Sequence, residues 1–189
     1  MYTDPHLLMA LYLRELAGVN PAELGPNSKL ASEVKERTSP HLAHGQIKQE
    51  WSSWWDSLAV GRTPTSPATG TELLDWLENE GYPELARLAR SHYGQTTLFA
   101  QQHAQEFETN SNSYIPKRMD EIEQILIERG VEHASEVEQK QIHIIDVPLK
   151  EPRAWLTGGA TILASSSLLR DSKSFQGFIQ PMVTIIFPE

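Results

Sequence analysis

The chain has 189 residues, of which 39% are hydrophobic and 22% charged, with five tryptophans and no cysteine. That composition supports a packed core and argues against disorder, and the missing cysteines exclude disulfides, thiolate metal sites and a cysteine nucleophile. Net charge is −9 and uneven: residues 1–70 carry 6 basic and 7 acidic side chains, 71–140 carry 6 and 14, and 141–189 carry 4 of each.

The acidic excess therefore sits in the middle third. Phosphate contact needs clustered Lys and Arg, so nucleic acid is an unfavourable partner. The same field favours a basic protein partner, or simply keeps the chain in solution. The start, Met1-Tyr2-Thr3-Asp4-Pro5-His6, has no basic stretch ahead of an apolar one. The longest apolar run, Leu7 to Leu13, is far short of the roughly 18 residues of a spanning helix. No membrane association and a cytoplasmic location are expected.

In chain order, Asp4 reads as an N-cap and Pro5 as a first helical residue, with Gly18 as the stop. A short charged helix is expected from Ser28 to Arg37. Ser39-Pro40 opens the next helix, in which Ile47, Trp51, Trp54, Trp55 and Leu58 form one stripe. Residues 62–70 hold two prolines among threonines, serine and glycine and read as a loop or linker. Three helices follow. The first carries Leu73, Leu74 and Leu77 and closes at Gly81. The second starts at Pro83 and closes at Gly94. The third has Phe99, Ala100, His103, Ala104 and Phe107 on one face. Residues 109–113 read as a polar loop. A further helix shows Met119, Ile122, Ile125 and Leu126 inward and ends at Gly130.

Beyond Gln141 the pattern turns to strand. Residues 142–147 and 154–157 are β-branched or aromatic and short, and 178–187 reads as a third strand, with Pro181 marking an edge or bulge. Gly158-Gly159 is either a hairpin turn or the start of a helix. The expected fold is α+β, an N-terminal helical bundle followed by a small, mostly antiparallel C-terminal sheet. Its segments are 1–61, the loop 62–70, the acidic helical segment 71–140 and the strand-rich segment 141–189, folding as one compact domain.

Four features bear on function. The stripe Trp51, Trp54, Trp55 suits core packing, a protein-binding face or a platform for a small molecule. Trp155, Thr157, Gly158, Gly159 and Thr161 would line a ligand or phosphate site if helix amides opened at the glycine pair. Residues 154–165 resemble the last strand–Gly-Gly–helix segment of actin-fold ATPases. The resemblance covers about a dozen residues, and the chain lacks that family's upstream phosphate loops and is too short for its two domains. The helices at 71–80 and 83–93 have the outline of a helix-turn-helix, with Arg87, Arg90 and His92 on the second, but Glu72, Asp75, Glu78 and Glu80 on the first would repel phosphate. His41 and His44 lie three apart without an evident third metal ligand. No cofactor or metal is expected. The leading expectation is a non-catalytic protein-interaction protein that binds a basic partner or itself, through the tryptophan stripe. The alternatives are a ligand- or phosphate-binding enzyme using the glycine pair, and a DNA-binding regulator.

Overall fold

A computed structural model describes residues 1–19, 26, 28–32, 34, 44–59, 71–129, 141–158 and 160–188. They form two compact units, Asp4–Ala104 and Met1–Thr3 with Gln105–Glu189. The architecture is α+β, predominantly helical with one small C-terminal sheet. No helix among the described residues is long and apolar enough to cross a membrane.

The unit Asp4–Ala104 is helical. α1 (Pro5–Leu16) begins as its capping residues dictate: the Asp4 carboxylate accepts the N–H of His6 at 2.8 Å and of Leu7 at 3.0 Å, and Pro5 has no amide hydrogen to leave unpaired. It ends at Gly18, whose φ of 64° suits glycine. There the amide of Val19 reaches back to the carbonyl of Arg14 and that of Gly18 to Glu15. α3 (Thr71–Asn79) closes in the same way at Gly81, φ 86°, with Tyr82 bonded to Leu77. α2 (His44–Ala59) packs on α1 and on α4 (Pro83–Ser91), and α3 packs on α4. Leu7, Leu8, Leu11, Leu13, Leu73, Leu77 and Leu85 are buried to 1% exposure or less, which makes this unit's core almost wholly aliphatic around the tryptophans.

Gly94 does not end α4. It lies in the first turn of α5 (Tyr93–Ser111), which also absorbs the first part of the expected 109–113 loop. Ser28–Ser32 contain no helix, and residues 35–37, like the 62–70 loop, fall outside the described residues.

In the unit Met1–Thr3 with Gln105–Glu189, α6 (Ile115–Glu128) precedes three strands, β1 (His143–Val147), β2 (Ala154–Gly158) and β3 (Thr161–Ser165). The sheet order is β1-β3-β2, with β1 parallel to β3 and β2 antiparallel to it, so the sheet is mixed. β3 is the central strand, and residues 162–165 of its Thr-Ile-Leu-Ala-Ser run are buried, as a strand paired on both sides requires. On the far side of β1 lies Tyr2, as an isolated parallel bridge to Ile145.

The expected strand at 178–187 is helix. Asp171 caps α8 (Ser172–Ile186) by accepting the Lys173 amide at 3.1 Å, and α8 follows directly on the short α7 (Ser166–Arg170). Phe175, Ile179, Val183 and Ile186 lie at i, i+4, i+8 and i+11 and are buried at 0, 0, 0 and 6% exposure. Pro181 lies on the exposed side of the helix, as does Gly177 one turn before it, so the helical hydrogen bond that proline cannot make is lost at the surface. α6 packs against α8, and Ile122 and Ile125 join Ile144, Ile162 and Phe175 in the core. Ser172 Oγ donates to Glu121 at 2.6 Å and Arg129 Nη1 to Thr184 Oγ1 at 2.9 Å, and that order of contacts makes the two helices parallel.

Candidate interaction surface

Trp51, Trp54 and Trp55 are brought together as the periodicity predicts, but inside the helical unit: they are 0, 0 and 5% exposed. The Trp51 indole N–H donates to the Ala10 carbonyl at 2.7 Å. Its ring stacks on Trp55 at 5.1 Å and 14°, and the Arg14 guanidinium lies 5.9 Å from its centroid. These three side chains are core and offer no surface to a partner. Arg14 itself is fully buried and donates to the carbonyls of Pro26 (2.8 Å) and Ser28 (2.6 Å) and to Glu15 (3.0 Å), which pins the segment after α1.

Gly158 lies at the end of a strand, in an antiparallel pair. Gly158 ends β2 opposite Thr161, which opens β3, with an irregularity between Leu156 and Gly158. Thr157 Oγ1 donates across to the Thr161 carbonyl at 3.2 Å, and Trp155 pairs with Leu163 in the ladder. Gly159 is outside the described residues. The chain therefore leaves Gly158 as strand, and the helix start that a phosphate cradle needs is not there; the next helix, α7, begins at Ser166.

α3 and α4 do form a helical hairpin, but its arginines are spoken for. Arg87 pairs with Glu84 at 2.8 Å and Arg90 with Glu78 at 2.7 Å. Phosphate would have to compete with both carboxylates. A polar groove of about 500 Å³ runs beside this hairpin, lined by Gln46, Gln49, Glu50, Ser53, Gly81 and Tyr82. Its acid, Glu50, has both oxygens engaged. One accepts the Leu85 amide at 2.8 Å and anchors the first turn of α4, and the other accepts from Gln46 at 2.8 Å. His41 lies outside the described residues, and His103 is buried on α5.

α6 presents a different kind of surface. Met119, expected inward, is 50% exposed, and Ile127 is 56% exposed. With Glu123 they stand at i, i+4 and i+8, so they form one ridge along the helix. Asp120, Glu123 and Glu128 are exposed as well. Two of the basic residues at this helix are drawn away from that ridge. Arg118, 2% exposed, pairs with Glu121 at 2.7 Å and lies 5.1 Å from the Phe175 ring centre. Arg129 reaches Thr184 and the Phe187 carbonyl at 3.2 Å. What remains is a ridge on which exposed Met119 and Ile127 flank Glu123, with Asp120 and Glu128 beside it and Lys117 the exposed basic residue of the helix.

One buried polar group was not legible in the sequence. Tyr114, 6% exposed, precedes α6 and has its hydroxyl pushed up to about 12, chiefly by burial and then by the Asp146 carboxylate, with Arg170 acting the other way. Asp146, 1% exposed, gives its amide to the Tyr2 carbonyl at 2.9 Å. The signal was an acid inside the β-branched run Ile144-Ile145-Asp146-Val147. Comparison with protein-family models, with curated proteins and with solved structures finds no match to this chain.

Proposed function

We propose that this chain is a non-catalytic protein-interaction protein, an adaptor, assembly factor or neutraliser, and that its partner is a basic protein docking on the α6 ridge. The observation that carries the reading is Met119 and Ile127 standing half or more exposed among Asp120, Glu123 and Glu128. Large apolar side chains give a partner area to bury, and the surrounding acids speed encounter and select a cationic surface. The tryptophan stripe, being buried, adds nothing to this reading.

Affinity capture with the wild-type chain and with Met119→Ser/Ile127→Ser tests it. A basic protein retained by the wild type, released as salt rises and lost with the double variant, supports the proposal. Equal retention by both chains overturns it.

A further inference from the structure

On the side of α2 away from its tryptophans, Gln46, Gln49, Glu50 and Ser53 stand at i, i+3, i+4 and i+7, a polar row without a positive charge. This row is one wall of the groove of about 500 Å³, and Gly81 and Tyr82, in the turn between α3 and α4, form the other. The volume is that of a small-molecule site. Glu50, 6% exposed, ties the two walls together, since it accepts the Leu85 amide at the start of α4 as well as the Gln46 carboxamide. The shape of the groove is therefore set before a ligand arrives. Gly81, at φ 86°, brings no side chain to its wall, and a Cβ there would meet no atom within 4 Å. Among the described residues, the Gln49 carboxamide, the Ser53 hydroxyl and the Tyr82 hydroxyl make no hydrogen bond within the chain.

We propose that this groove binds a neutral, hydroxyl-rich small molecule, a mono- or disaccharide. Its lining selects that class. Carboxamides and hydroxyls each donate and accept, as does every hydroxyl of a sugar. The Glu50 carboxylate only accepts, and with two of its roughly four lone-pair positions taken it still receives a ligand hydroxyl. An anion would face Glu50 with no Lys or Arg in the lining to hold it. A cation would find Glu50 alone, already engaged on both oxygens. An apolar ligand would leave the polar groups dry and unpaired. The Tyr82 ring, 6.2 Å from that of Trp76, gives the C–H face of a sugar an aromatic wall. The α6 ridge plays no part in this binding.

Amide NMR of the full chain, titrated separately with maltose, cellobiose, inorganic phosphate and 1,4-diaminobutane, tests this. At least one of the two saccharides should give saturable shifts centred on residues 46–53 and 81–82, with a Kd of about 1 mM. Gln49→Leu and Ser53→Leu replace exposed side chains, and each should weaken that binding about fivefold or more. No saturable shift there with either saccharide at about 50 mM overturns the proposal. So does tighter binding of phosphate or the diamine at the same residues, or saccharide binding that neither variant weakens. If a variant does not fold, the map of shifts in the wild type decides alone.

Discussion

The indole of Trp51 hydrogen-bonds the main-chain carbonyl of Ala10 across 2.7 Å, tying α2 to α1 through a side chain with no exposure at all. Trp54, equally buried, has no partner for its Nε1 among the described residues. The two tryptophans should therefore respond differently to the same change. Trp51→Phe loses the bond, disturbs the stack on Trp55 and should cost about 2–4 kcal/mol, whereas Trp54→Phe removes a buried donor without a bond and should cost about 1 kcal/mol less. Urea unfolding midpoints measure the order, and the reverse order would contradict this packing.

His6 sits in the first turn of α1, 6% exposed, and burial lowers its pKa despite the nearby Asp4. The native state thus binds its proton less well than the unfolded chain does. The stability this gives is complete above the unfolded value of about 6.5 and declines as pH falls below it. Thermal unfolding between pH 5 and 8 should show that loss on acidification, and His6→Gln should flatten it.

Tyr114 behaves in the opposite sense at the alkaline end. Its hydroxyl is held up to about 12 from an ordinary 10.0. Its contribution is whole below the ordinary value and is lost as the unfolded chain ionises and the native one does not, between those two limits. Tyr114→Phe should remove that alkaline phase while leaving acid unfolding unchanged.

Pro181 lies inside α8, where it forfeits a helical hydrogen bond. Pro181→Ala should therefore stabilise the chain by about 1–3 kcal/mol and raise helical circular dichroism. Were 178–187 a strand, alanine would bring no gain in helix signal.

Where the sequence was readable, a local chemical cue and a tertiary environment agreed. Asp4-Pro5 and Gly18 bound α1, and Gly81 ends α3, because a cap or a left-handed turn depends on the residue itself. The tryptophan period located α2 but not what it faces, since a helix stripe has the same spacing against its own core as against a partner. Val183-Thr184-Ile185-Ile186 reads as strand by local preference, yet the 3.6-residue spacing of Phe175, Ile179, Val183 and Ile186 and the Asp171 cap decide for helix. Gly94 misled because glycine is tolerated in a first helical turn as well as at a helix end. Met119 belongs to the edge of the inward arc of Ile122, Ile125 and Leu126, and period alone does not say where that arc stops. The ridge that supports the proposed function lies just there.

Met119→Ser and Ile127→Ser should each leave stability within about 0.5 kcal/mol, as expected of exposed positions with few packing contacts. That makes any loss of binding a statement about the surface and not about folding. Matched denaturation midpoints for the two variants and the wild type provide the check.

The most direct measurement is site-specific photo-crosslinking, with a benzophenone side chain placed at Ile127 on the α6 ridge and, separately, at exposed Lys150 as control. The proposal predicts one basic protein joined at position 127, absent at position 150 and diminished by Glu123→Lys on the same ridge. No product at 127, or the same products from both positions, would contradict it.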